Sequence, residues 1–86
     1  MLQEFLDDDA GYSAWIRANP RGFVINCDRK PTAYFCILHR VRCLQKLPPR
    51  TGDYQKVCAP TVDELDMWAF NTVGDTPTRC EICHPS

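Results

Sequence analysis

Between Asp9 and Asn19 the apolar residues Tyr12, Trp15 and Ile16 recur at i, i+3 and i+4, so they share one face of a helix. Asp7, Asp8 and Asp9 suit the positive N-terminal end of that helix. Pro20 disfavours the α conformation at Asn19, so the helix stops there. Leu2, Phe5 and Leu6 either extend it backwards by a turn or form a separate apolar flap, and the pattern suits both. After Gly22 the runs Phe23-Val24-Ile25-Asn26-Cys27 and Tyr34-Phe35-Cys36-Ile37-Leu38-His39 flank the polar segment Asp28 to Ala33, which contains Pro31. This reads as a β-hairpin. Its β-branched and aromatic residues suit strands, but both runs are too apolar to say which face is buried.

The stretch from Gln45 to Asp53 holds two prolines and a glycine and is read as a loop, with Tyr54 to Cys58 as a third strand. Thr61-Val62-Asp63-Glu64 has the Thr-x-x-Glu spacing of a capping box and opens a second helix. Leu65, Trp68 and Ala69 form its apolar face, and Gly74 with Pro77 marks its end. The predicted fold is therefore α+β: an N-terminal helix, a three-stranded antiparallel sheet, a second helix, and Cys80 and Cys83 beyond it. No repeat, low-complexity tract or linker divides the sequence, so residues 1–86 are expected to form a single domain. A domain this small buries only about 60% of the surface its unfolded chain exposes, and a metal, disulfides or a partner must staple it.

Six cysteines are too few for a dense disulfide scaffold and too many for an ordinary cytosolic domain. The start of the sequence has no basic n-region and no long apolar stretch, so no signal peptide is expected. No apolar run reaches the length of a membrane span. A cytoplasmic location with reduced thiols follows as an expectation, and the clustered Cys and His are read first as metal ligands. A secreted, disulfide-bonded chain is the alternative.

His39-Arg40-Val41-Arg42-Cys43 and Cys80-Glu81-Ile82-Cys83 are two short-spaced pairs separated by 36 residues, each able to wrap one side of a tetrahedral ion. His39, Cys43, Cys80 and Cys83 are the candidate zinc ligands. A Cys-x-x-Cys also fits a redox pair, but a thioredoxin-type motif sits between a strand and a helix, whereas this one lies three residues from the end of the sequence. His39 could instead be a hydrogen-bonded core histidine, with His84 or Cys58 in its place. Cys27, Cys36 and Cys58 fall inside strand candidates, where a free cysteine behaves as a small apolar residue.

The order strand, x-x-His-Arg-x-x-Cys, loop, strand, helix, Thr-x-Cys-x-x-Cys resembles the Ada-like N-terminal metal-binding domains of bacterial DNA alkylation repair, over about residues 34 to 86. The resemblance implies a zinc site beside DNA, with Val57 to Ala69 as the strand and helix, and Cys80 and Cys83 followed by Pro85 as the last ligand pair. In that family the first cysteine of the first pair is the zinc-bound thiolate that accepts a methyl group, and the matching residue here is His39. An imidazole cannot serve as that thiolate, so alkyl transfer at this position is not expected.

The net charge of −1 conceals an uneven distribution. Arg17, Arg21, Arg29, Lys30, Arg40, Arg42, Lys46 and Arg50 stand against Asp28 alone, a net +7, while ten acids lie in the flanking segments. The first functional expectation is a non-enzymatic zinc module that contacts DNA or another nucleic acid through Arg29, Lys30, Arg40, Arg42 and Lys46 by counterion release. Against this stands a solvated face that pairs with the flanking acids. The second expectation is a protein-interaction or adaptor module with a purely structural zinc, using Tyr12, Trp15, Tyr54 and Trp68 as anchors. A zinc enzyme ranks third, because four protein ligands leave no open position for water.

Overall fold

A computed structural model describes residues 1–85, ordered as β1 (Gln3–Phe5), α1 (Asp9–Ala18), β2 (Phe23–Thr32), β3 (Phe35–Arg40), α2 (Val41–Leu44), β4 (Tyr54–Ala59), α3 (Val62–Val73) and β5 (Thr78–Arg79). The α+β class matches the sequence expectation, but the sheet has five strands in the order β1-β4-β2-β3-β5. The added strands are its edges. β1 pairs antiparallel with β4, and β5 pairs parallel with β3, so the sheet is mixed rather than wholly antiparallel. With three and two residues, they are too short to display a period of two.

The registers explain why both hairpin strands are so apolar. Along β2, Val24 belongs to the core packed with Tyr12, Trp15 and Ile16 of α1, whereas Ile25 and Cys27 belong to the core packed with Leu65 and Ala69 of α3. Neighbouring strands repeat the alternation, with Val24 opposite Cys58 and His39, and Ile25 opposite Val57 and Leu38. Both faces are covered, so neither shows the polar side of a half-exposed sheet.

The two covering helices arise from two crossovers. β1 and β4 are antiparallel, as are β4 and β2, so β1 and β2 run parallel with α1 between them in the chain. β4 and β5 are likewise parallel, linked by α3. Both connections step across the sheet in the same direction from strands of opposite sense, and the common right-handed crossover then puts their helices on opposite faces.

Local signals act largely as read. Asp8 caps α1 by accepting from the Gly11 amide, and Asn19 ends the helix. The Glu64 amide donates to the Thr61 hydroxyl oxygen at 3.4 Å, the first half of the capping box. The second half differs, because the Glu64 carboxylate accepts from the Thr61 hydroxyl and meets the Met1 ammonium at 3.3 Å. Gly74 ends α3 at φ 81°, where a residue with a Cβ is strained. Two segments depart from expectation: β2 continues through Pro31 to Thr32 across an irregularity in its register with β3, and the chain between His39 and the loop forms the one-turn α2.

Candidate metal centre

The cluster forms where β3 turns into α2. Val41 and Leu44, three positions apart, bury against the α1-side core, which fixes the orientation of that single turn. The Gly22 carbonyl accepts from the Val41 amide at 3.0 Å and anchors its start. Gly22 itself lies under the Trp15 ring, where a Cβ would approach the indole to 2.7 Å. His39 at the strand end and Cys43 in the turn are thereby brought to one side.

The other pair arrives along β5. Its parallel pairing with β3 places Arg79 against Leu38, and the Cys80 amide continues the ladder by donating to the Leu38 carbonyl at 2.9 Å. The His84 amide closes the knuckle onto the Cys80 carbonyl, with His84 at φ 46°. The left-handed region is one that histidine visits more readily than most residues. Arg40 clamps the turn: its amide donates to Cys83 Sγ at 3.3 Å, its Nε to the Cys83 carbonyl at 3.1 Å, and its Nη2 to the His84 carbonyl at 3.3 Å.

One ligand atom from each of His39, Cys43, Cys80 and Cys83 lies within 4.8 Å of the others, and Cys43 Sγ and Cys80 Sγ are 4.0 Å apart. Tetrahedral thiolate and imidazole ligands around one ion require such spacing. His39 Nδ1 is buried without a hydrogen-bond partner among the described residues, so the ring carries an unsatisfied nitrogen. Burial, and then the nearby Lys56 charge, hold the His39 pKa below its ordinary value and favour the neutral imidazole a ligand needs. Burial and contacts with the other two thiols push Cys43 up to about 11. Burial opposes ionisation of Cys80, but the amides of Cys83 and Ile82 and the thiols of Cys83 and Cys43 outweigh it and lower the pKa.

The alternative ligands lie elsewhere. His84 is exposed outside the cluster, and Cys58 is buried in the α1-side core. Cys27, Cys36 and Cys58 are buried free thiols, with Cys27 and Cys58 pushed up to about 12 by burial.

The candidate nucleic-acid residues divide into two groups. Arg40, Arg42 and Lys46 line a cleft of about 600 Å³ beside Cys43 and Cys83, and Arg21 joins Arg40 and Arg42 in an adjoining one of about 350 Å³. Arg40 is committed to the knuckle, and its guanidinium also lies 5.7 Å from the Phe23 ring centroid. Arg29 and Lys30 sit six and seven positions along β2 from Phe23, which pairs with Arg40. That puts them about 20 Å away at strand spacing. Arg29 is bound there by Asp7 at 2.9 Å and also donates to the Gly52 carbonyl. Of the proposed aromatic anchors, Tyr12 and Trp15 are core residues, and Tyr54 is exposed.

Fold and site define a small α+β protein with a His/Cys3 cluster spaced to hold a metal ion. No family model matches the chain, and neither a curated protein nor a solved structure gives a significant match. Among the described residues no helix is long and apolar enough to cross a membrane.

Proposed function

We propose that the protein is a non-enzymatic zinc module whose ion is structural and whose knuckle rim contacts nucleic acid. The convergence of His39, Cys43, Cys80 and Cys83 carries this reading. Three thiols and one imidazole suit zinc, and four protein ligands close a tetrahedral shell, leaving no position for a catalytic water. The unpartnered Nδ1 of His39 supports a nitrogen ligand where the Ada-like domains have their acceptor cysteine. The succession of β3, β4, α3 and the Cys-x-x-Cys turn supports that kinship as a proposal.

Nucleic-acid contact rests on the free cations beside the knuckle. Arg21, Arg42 and Lys46 have exposed side chains and no ion-pair partner among the described residues. Held near a rigid turn, they lose little ordering entropy on meeting phosphates. Native mass spectrometry with and without chelator counts the ion: one zinc is expected, and an unaltered metal-free mass overturns the zinc reading. Anisotropy of labelled duplex and single-stranded DNA at rising salt tests the rim. Salt-sensitive binding is expected, and none at low salt overturns the nucleic-acid reading.

A second reading, a protein-interaction module around the same structural ion, draws on α3. Met67 and Phe70 on its outer side are each 62% exposed, and a cleft of about 480 Å³ lined by Leu2, Met67 and Trp68 lies alongside. This surface would remain available if the DNA titration is silent.

A further inference from the structure

Lys56 lies on the α1-facing side of β4, opposite Asn26 on β2. Its Nζ donates to Asn26 Oδ1 at 2.6 Å and sits 5.9 Å from the ring centroids of both Tyr12 and Tyr54. Among the described residues no carboxylate lies within ion-pair distance of it. Burial lowers its pKa, the mark of an ammonium partly removed from water without a counter-charge. With one neutral acceptor, two of its three N–H donors remain unassigned.

A cavity of about 210 Å³ opens on this ammonium. Leu44, Leu47 and Pro48 supply apolar wall, and Tyr12 and Tyr54 add their rings. The exposed Arg50 lines it as a second cation and Asp53 as its one acid.

The loop over the cavity is tied in place. Thr51, fully buried, donates from its amide and its hydroxyl to Asp9 Oδ1, both at 2.7 Å. The Asp8 amide donates to the Thr51 hydroxyl oxygen and the Asp7 amide to the Thr51 carbonyl. Asp9 is thus occupied by the loop rather than by Lys56, and the cavity is formed before any ligand arrives.

We propose that this cavity binds a small organic monocarboxylate with an apolar body, its carboxylate on Lys56 and its body between the tyrosine rings and Leu47. Two acceptor oxygens match the two unassigned donors. The apolar walls suit a hydrocarbon body better than a hydrated inorganic ion, and Asp53 disfavours a dianion. The proposal is independent of the metal centre's function.

Benzoate is the probe, with inorganic phosphate and neutral benzamide as controls at matched ionic strength, read by amide chemical shifts of the purified full chain. Benzoate should shift Asn26, Leu47 and Lys56 saturably in the millimolar range expected for so small a ligand. Lys56→Met should weaken that binding by at least about tenfold, as loss of a charge-assisted hydrogen bond requires. Benzoate should also protect Lys56 of the parent, but not Lys30 or Lys46, from acylation mapped by mass spectrometry, a readout that survives if the variant does not fold. Absence of both shifts and protection, equal binding by phosphate or benzamide, or undiminished binding by folded Lys56→Met would each overturn the proposal.

Discussion

The two faces of the sheet are built from different chemistry. Against α3 the strands present Ile25, Cys27, Cys36, Leu38, Val57 and Ala59, an apolar surface whose thiols are held protonated by burial. Against α1 the same strands present Val24 and Cys58 together with His39, Asn26 and Lys56. The polar groups on the α3 face are all paired, Gln55 with Glu4 and Cys27, and Arg79 with Asp66. The other carries buried polar atoms, and each creates a demand: an unpartnered imidazole nitrogen and an ammonium without a carboxylate. Such groups cost stability unless something satisfies them. Ligand chemistry gathers on the face that bears that cost.

The largest expected effect breaks the imidazole's side of the comparison. Cys80→Ser or Cys83→Ser removes a thiolate from the proposed four-ligand zinc shell, and a structural zinc in small domains contributes about 10 to 16 kcal/mol. Each variant should lose its cooperative thermal transition, as chelator should with the parent, and a transition unchanged by chelator would refute the metal-dependent fold. Next comes the apolar face: Leu65, fully buried on α3, should cost about 2 to 5 kcal/mol as Leu65→Ala in denaturant titration, with metal stoichiometry intact.

Acid should separate the faces. The folded-state pKa of His39 lies below its unfolded value, so the unfolded chain binds more protons in that window. Stability should therefore fall as pH drops below the ordinary histidine range and toward the lower folded value. Where it folds, His39→Gln should flatten this slope, whereas Leu65→Ala should leave it unchanged. Lys56→Met should alter stability by no more than about 1 kcal/mol, since relief of desolvation offsets the lost bond to Asn26. Smallest of all, the double replacement of Arg42 and Lys46 by Ala should stay within about 0.5 kcal/mol while weakening the proposed DNA binding at low salt.

Much of the metal centre was legible because its signal is local: two ligands at i and i+4, and two at i and i+3. Helices α1 and α3 were legible for the same reason, through Asp8 with Asn19 and through Thr61 with Gly74, whereas α2 was not. The edge strands were not, because β1 depends on Val57 and Cys58 more than fifty residues away, and β5 is only two residues of ladder. Lys56 escaped notice because its meaning depends on register. As a residue in a chain it is one cation among acids; opposite Asn26 and between two rings it is a half-buried charge. Arg29 and Lys30 were grouped with Arg40 by adjacency of charge, but strand length carries them to the far end of the sheet.

The distance in sequence between the two ligand pairs sets an order in time. His39 and Cys43 are synthesised before their partners, and Cys80 follows 37 residues after Cys43. At about 5–20 residues per second that delay lasts roughly two to seven seconds. During it the nascent chain can offer an ion half a cage, and β3 lacks the edge strand that later covers it.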